Sequence, residues 1–320
     1  MGKTVLIPQY VPESLEKKLT DMGYTVVNGR GITEDEIIAD IKEYGCEAIV
    51  ARTAHYTRKI MEAARGQLKI IARYGVGLDA IDLKAAEEND IWVSFTPMAN
   101  YTSVAELTVG LMLDTSRLMT RCISETRKGN FGIRNDCTGH DIMGRTVGIL
   151  GFGKIGRTVG EICHKGFNMN VIAYDPYLTA DKMPEWAKLA DWDEVLKEAD
   201  FVSCHMPLTE DTVHMISKRE FQLMKPTAIF LNVARGGVVD EKELIEALKN
   251  KEIAGAGLDV TEKEPTEADN PLLAMDNVCI TPHIAGLSAE AYERMADGVA
   301  RCVDDVLTGH APTYPANHLK

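Results

Sequence analysis

Short runs of consecutive apolar residues alternate along this chain with amphipathic stretches of helical period. That is the pattern of strands buried on both faces of a parallel sheet and of the helices that cover them. Thr4-Val-Leu-Ile7 predicts a strand, and residues 12–22 a helix. Thr33 with Glu36 three residues on is a capping-box signature opening a helix to about Glu43. Ala48–Ala51 and Leu68–Ala72 predict two further strands, each followed by an arginine, Arg52 and Arg73. Tyr74-Gly-Val-Gly77 then predicts a turn at the carboxyl end of a strand, where open α/β sheets place ligands. A helix over 82–89 and a strand over 92–95 close this series, which Thr96-Pro97 breaks.

A long helical pattern follows from about Thr102 to Thr126, with apolar faces from Val104, Leu107, Leu111 and Met112, and suits a connecting helix between lobes. Further strands fall at 146–150, 170–174, 201–203, 228–231, 255–258 and 278–280, and Asp240 with Glu243 predicts a second capping box. The last amphipathic helix, Ser288 to about Leu307, returns the chain to the first lobe. The expected fold class is α/β: two doubly wound parallel-sheet, Rossmann-like lobes with an active-site cleft between them. The substrate-binding lobe is expected to be discontinuous, residues 1–98 and 287–320, around a dinucleotide-binding lobe of residues 99–286.

The segment from Thr146 to Asp175 carries the most specific chemistry. An apolar strand runs directly into Gly151-Phe-Gly-Lys-Ile-Gly156, a helix follows to about Phe167, and a second strand ends in Asp175. Gly151 makes the tight turn, Gly153 lets the backbone approach a pyrophosphate, and Gly156 lets helix and strand pack closely. Lys154 and Ile155 open the helix, whose N–H groups and positive dipole end face the phosphates. Asp175 stands where a carboxylate accepts hydrogen bonds from ribose hydroxyls, which favours NAD over NADP.

Composition narrows the class. The 320 residues suggest about two domains, and the formal charge of -13 argues against nucleic acid as a partner. An anionic small-molecule substrate must then be held by local cations. Seven scattered cysteines without a CxxC pair read as singly buried, reduced thiols, with no metal site, and point to a cytoplasmic enzyme. No apolar run approaches membrane-spanning length and no leader pattern opens the chain, so neither membrane nor secretion is expected.

Three residue types near strand ends of the second lobe form a catalytic set: Arg235 before Gly236-Gly237, Glu264 before Pro265, and His283 in Thr-Pro-His-Ile-Ala-Gly286. A guanidinium clamps a carboxylate through paired N–H bonds, an imidazole exchanges a proton near neutrality, and a carboxylate beside it orients the ring. The set suits a 2-hydroxy acid and its 2-oxo partner.

Over nearly its whole length the chain resembles the NAD-dependent D-2-hydroxyacid dehydrogenase family. The matching blocks include RYGVGLDAID at 73 to 82, GRTVGILGFGKIGRTVG at 144 to 160, NVARGGVVDE at 232 to 241, GAGLDVTEKEP at 255 to 265 and TPHIAG at 281 to 286. The resemblance implies that Arg235, Glu264 and His283 are catalytic. It implies cofactor contacts from Pro207, Thr212, Ala234, Asp259 and Gly286, and substrate contacts from Asn100 and the backbone of Val76 and Gly77. Two positions depart from the family pattern: Met98 replaces a usual glycine, and Phe131 an aromatic that is commonly Trp.

For the substrate, Arg52 and Arg73 match arginines that serve substrate binding in the phosphoglycerate dehydrogenases of that family, so D-3-phosphoglycerate is the favoured expectation. Intralobe salt bridges are the alternative role for both arginines. The alternative activity is reduction of hydroxypyruvate, glyoxylate or another short 2-oxo acid, and a further one is an NAD-sensing corepressor-type binding protein. Because the chain stops at Lys320, the C-terminal regulatory domain of longer relatives is not expected. The resemblance also implies a homodimer, with residues 117–142 embracing a neighbour and Arg134 reaching its active site.

Overall fold

Twelve short strands carry the architecture of residues 3–319, the part that this computed structural model describes; residues 1, 2 and 320 of the expected first lobe lie outside it. The first sheet holds β1 (Thr4–Ile7), β2 (Thr25–Asn28), β3 (Ala48–Ala51), β4 (Ile70–Arg73) and β5 (Trp92–Ser94), in spatial order β2-β1-β3-β4-β5. The second holds β6 (Thr146–Leu150), β7 (Asn170–Tyr174), β8 (Ala187–Leu189), β9 (Phe201–Cys204), β10 (Ile229–Asn232), β11 (Gly255–Leu258) and β12 (Val278–Ile280), in order β12-β11-β10-β9-β6-β7-β8. All strand pairings among the described residues are parallel. Both sheets are therefore doubly wound, and in both the chain reverses direction across the sheet beside its first strand.

The chain divides into two units, Met1–Asn100 with Gly286–Lys320, and Tyr101–Ala285. The first crossing falls two residues later than the sequence suggests, and the return one residue earlier. In the first unit, Val5 and Ile7 of β1 pack with Leu15, Leu19, Val299 and Val303 on one face. Leu6, which points the other way, joins Ile37, Ile41, Ile60 and Met61. In the second unit, Val147 and Ile149 pack under the helices Tyr101–Arg117 and Lys154–Phe167, while Leu150 and Phe230 meet Phe221 and Leu244 on the opposite face.

Three local expectations need correction. The long helix is two, Tyr101–Arg117 and Met119–Arg127, because Leu118 takes a left-handed φ of 52°. Asp114 supports the break: its carboxylate accepts from the Thr120 N–H at 2.8 Å and hydroxyl at 2.6 Å, which caps the second helix. The box expected at Asp240 is half formed. Its carboxylate caps Glu243, but its own N–H is taken by the Ile216 carbonyl, so Glu243 has nothing to bond back to. Lastly, Cys122 and Cys137 are half-buried neighbours rather than single buried thiols, and a hydrogen bond with Cys122 heads the causes that raise the Cys137 thiol pKa. No described helix is long and apolar enough to cross a membrane.

Candidate active site

The glycines after β6 are required for different reasons. Gly151 has φ 91°, and a Cβ there would sit 3.0 Å from the carbonyl of His205. At Gly156 a Cβ would come within 2.2 Å of the Gly151 oxygen and 2.9 Å of Ile149, so only glycine lets the helix lie on the strand. At Gly153 a Cβ would meet nothing within 4 Å. The protein's own packing does not explain that glycine. An open backbone margin at the start of the helix Lys154–Phe167, whose first turn has no side-chain cap, is a cradle that fits a pyrophosphate.

Asp175 directly follows β7, with both carboxylate oxygens already engaged: Oδ2 accepts from Phe152 N–H and Oδ1 from Tyr177 N–H, each at 2.9 Å. These bonds aim the carboxylate and leave lone pairs for ribose hydroxyls. Lys154 Nζ lies 5.9 Å from the centre of the Tyr101 ring, and Ile155 packs against the core. The Thr212 hydroxyl donates to the Pro207 carbonyl at 2.7 Å and accepts from Thr209 N–H, which closes that loop on itself.

The three proposed catalytic side chains all lie in the second unit. Arg235 follows β10 in extended backbone, and its Nη1 donates to the Ala234 carbonyl at 2.7 Å. Gly236 admits the neighbouring loop, since a Cβ there would fall 1.8 Å from the Thr261 oxygen. That contact brings the loop carrying Glu264 against the one carrying Arg235. His283 adopts a left-handed φ of 54°, an uncommon conformation for a non-glycine residue, and its N–H donates to the Asp259 carbonyl at 2.9 Å. Its Nδ1 lies 2.7 Å from Glu264 Oε2 with the ring half exposed. Burial pushes the Glu264 carboxyl pKa up, but the hydrogen bond from His283 and its charge, the Thr261 N–H and the Arg235 charge outweigh it, and the net shift is downward.

Asp259, a cofactor contact by the resemblance, is tied into the protein. It is 1% exposed, and its carboxylate accepts from the Thr281 hydroxyl at 2.6 Å, Ile284 N–H at 2.9 Å and Ala285 N–H at 2.8 Å. It anchors the loop that presents His283.

In the first unit, Arg52 donates through Nη1 to the Tyr10 carbonyl at 2.9 Å and reaches the Tyr292 hydroxyl at 3.5 Å, with no carboxylate partner among the described residues. Arg73 turns inward: Nε donates to the Gly77 carbonyl at 2.7 Å, and the guanidinium lies where a Gly75 Cβ would meet it at 3.3 Å. Gly75 has φ 145°, and its carbonyl accepts from both the N–H and the hydroxyl of Thr96. The Val76 and Gly77 N–H groups make no hydrogen bond to another described residue. Asn100 and Gly286 lie side by side, a Cβ on the glycine falling 2.6 Å from the Asn100 amide nitrogen.

His205, at the end of β9, did not stand out in the sequence although its block was legible. Its Nε2 is 2.8 Å from the Ser203 hydroxyl, its Nδ1 is closed off from solvent without a partner, and burial pushes its pKa down to about 3. The ring is neutral, and the backbone carbonyl of the same residue lies against the Gly151 turn.

Residues 109–285 match the family described as "D-isomer specific 2-hydroxyacid dehydrogenase, NAD binding domain". A D-3-phosphoglycerate dehydrogenase of Methanocaldococcus jannaschii is 40% identical over 95% of this chain, which spans 57% of that relative's length. A hydroxypyruvate reductase of Thermotoga maritima is 39% identical over 89% of this chain and 94% of its own. Among solved structures, a protein of Thermus thermophilus superposes with a TM-score of 0.91 at 33% identity, covering 98% of this chain and 99% of that one.

Proposed function

Because the chain belongs to the D-isomer-specific 2-hydroxyacid dehydrogenase family, we propose that it interconverts a D-2-hydroxy acid and its 2-oxo acid, with D-3-phosphoglycerate as substrate. Its second unit contains the family's NAD-binding domain, and NAD is the cofactor. The observation that carries the reading is the 2.7 Å contact between His283 Nδ1 and Glu264, beside a carboxylate loop on which the Arg235 charge acts. With Nδ1 committed, the outward ring nitrogen Nε2 takes the hydroxyl proton in oxidation and returns it to the carbonyl oxygen in reduction. Glu264 fixes the tautomer and stabilises the imidazolium, and Arg235 offers its fork to the substrate carboxylate and carbonyl. The chemistry that a nicotinamide held at the β6 turn would supply is donation or acceptance of the hydride. Val76 and Gly77, in the first unit, offer N–H groups suited to a carboxylate, and Asp175 selects NAD over NADP.

Arg52 supports the phosphate-bearing substrate, since its guanidinium has no carboxylate partner among the described residues. A second reading, reduction of hydroxypyruvate or glyoxylate, draws on the relative of matching length, whose name is hydroxypyruvate reductase. Steady-state turnover with NAD and 3-phosphoglycerate, set against NADH with hydroxypyruvate and glyoxylate, separates the two; no turnover of phosphoglycerate rejects the first. His283→Ala is expected to lower kcat by roughly 10²- to 10⁴-fold and remove its pH dependence. An unchanged kcat would reject the catalytic assignment.

We also read residues 117–142 as the contact between two copies. The helix Met119–Arg127 buries none of its residues, and Ile123 and Phe131 stand 50% and 70% exposed. Light scattering at the mass of one chain would reject this.

A further inference from the structure

We infer that the first unit carries a second anion site, a pocket on the helix Ala289–Leu307 that takes a small organic phosphate monoester. Arg294 and Arg301 are seven residues apart, two turns and about 10.5 Å along one face of that helix. Both line a cavity of about 250 Å³. Arg294 donates through Nε to the Ala99 carbonyl at 2.6 Å, which fixes the plane of its guanidinium and leaves the outer N–H groups uncommitted. Arg301 makes no ion pair or hydrogen bond among the described residues. In a chain with 48 acidic and 35 basic residues, two neighbouring guanidiniums without a carboxylate partner are unusual.

The remaining lining sharpens the ligand class. Asp297, the carboxylate on the lining, lies 3.2 Å from Lys18 Nζ, which also pairs with Glu293, so its charge is offset in part. Gly298 lets the helix lie on Thr96, since a Cβ there would come within 2.8 Å of the Thr96 methyl, and this forms the floor. Met98, 43% exposed, and Tyr314 give apolar walls for a short carbon body. Two guanidinium forks lining the pocket from positions two turns apart match the several oxygens of a phosphate better than the single edge of a carboxylate. Met98 stands where the resembling family usually has glycine, so this wall belongs to the present chain.

Titration calorimetry of the full chain with glycerol 3-phosphate tests the site independently of the catalytic reading. Binding is expected in the wild type and, unchanged, in Arg52→Ala. Arg301→Ala, which removes an exposed side chain that makes no ion pair or hydrogen bond among the described residues, is expected to weaken it at least about tenfold while Tm and kcat hold. Arg294→Gln is expected to weaken it as well. Unaltered affinity in Arg301→Ala, loss of binding in Arg52→Ala instead, or tighter binding of succinate than of the phosphate ester would each overturn the proposal. So would the absence of heat in the wild type at millimolar ligand.

Discussion

Each unit has a glycine turn at the carboxyl end of a parallel strand, and the two are built on opposite plans. The turn after β6 is shaped by backbone contacts that any side chain would destroy, at Gly151 and Gly156, and then opens into a helix. The turn after β4 is held by a side chain: Arg73 reaches forward to Gly77 and fills the space beside Gly75, while Thr96 grips the Gly75 carbonyl from the other side. Both offer N–H groups at a strand end. Only the first adds a helix dipole, which suits the larger charge of a diphosphate, and the second suits a single carboxylate.

The largest expected effect separates the two jobs of the β6 turn. Gly156→Ala drives a methyl into backbone at 2.2 Å, an overpacking that costs about 3 kcal/mol or more, and the loss should appear in both Tm and NAD affinity. Gly153→Ala meets nothing in the protein, so Tm should hold while NAD binding weakens by roughly tenfold or more. If both variants kept NAD affinity in fluorescence titration, the cradle assignment would fail.

A second contrast is in acid. His205, whose carbonyl supports Gly151, has an ordinary value near 6.5 in the unfolded chain but about 3 in the folded one. Between those values only the unfolded chain binds the proton, so stability falls as pH drops below 6.5, by up to about 1.4 kcal/mol per unit. Glu264, lowered from 4.5, acts in the same direction but only further down, as pH falls below its unfolded value. His205→Gln should therefore flatten the decline between pH 6.5 and 5 in denaturant melts. A slope identical to wild type there would show that the ring is not held neutral.

The sequence carried the central strands because a strand buried on both faces is a continuous apolar run, as in β1, β6 and β9. It did not carry β2 and β8, which lie at the sheet edges and keep exposed or half-buried residues such as Thr25 and Lys188. The break at Leu118 was hidden for another reason. The apolar period runs through it, and the Asp114 to Thr120 bonds that fix it join residues six apart, beyond a local capping signature. Residue types at the proposed site were legible, but partners were not. That Asp259 binds the His283 loop and Arg73 binds its own turn follows from backbone angles at His283 and Gly75 that composition does not encode.

Arg73 supplies the smallest and most discriminating test. Were it a substrate ligand, a lysine would keep the positive charge and much of the attraction. As a strut it needs a planar group with Nε on the Gly77 carbonyl and a flat face against Gly75, and an ammonium on a flexible stem provides neither. Arg73→Lys should then raise KM about tenfold, near 1.4 kcal/mol, for every 2-oxo or 2-hydroxy acid alike, whether or not it carries a phosphate, because the Val76 and Gly77 N–H groups it would displace are the ones proposed to meet the carboxylate common to all of them. The kcat and the NAD affinity should stay close to wild type, since the His283 and Gly153 regions are in the other unit. A KM increase confined to the phosphorylated substrate would instead make Arg73 a phosphate ligand beside Arg52. The two turns would then differ in the anion they hold and not in how they are held.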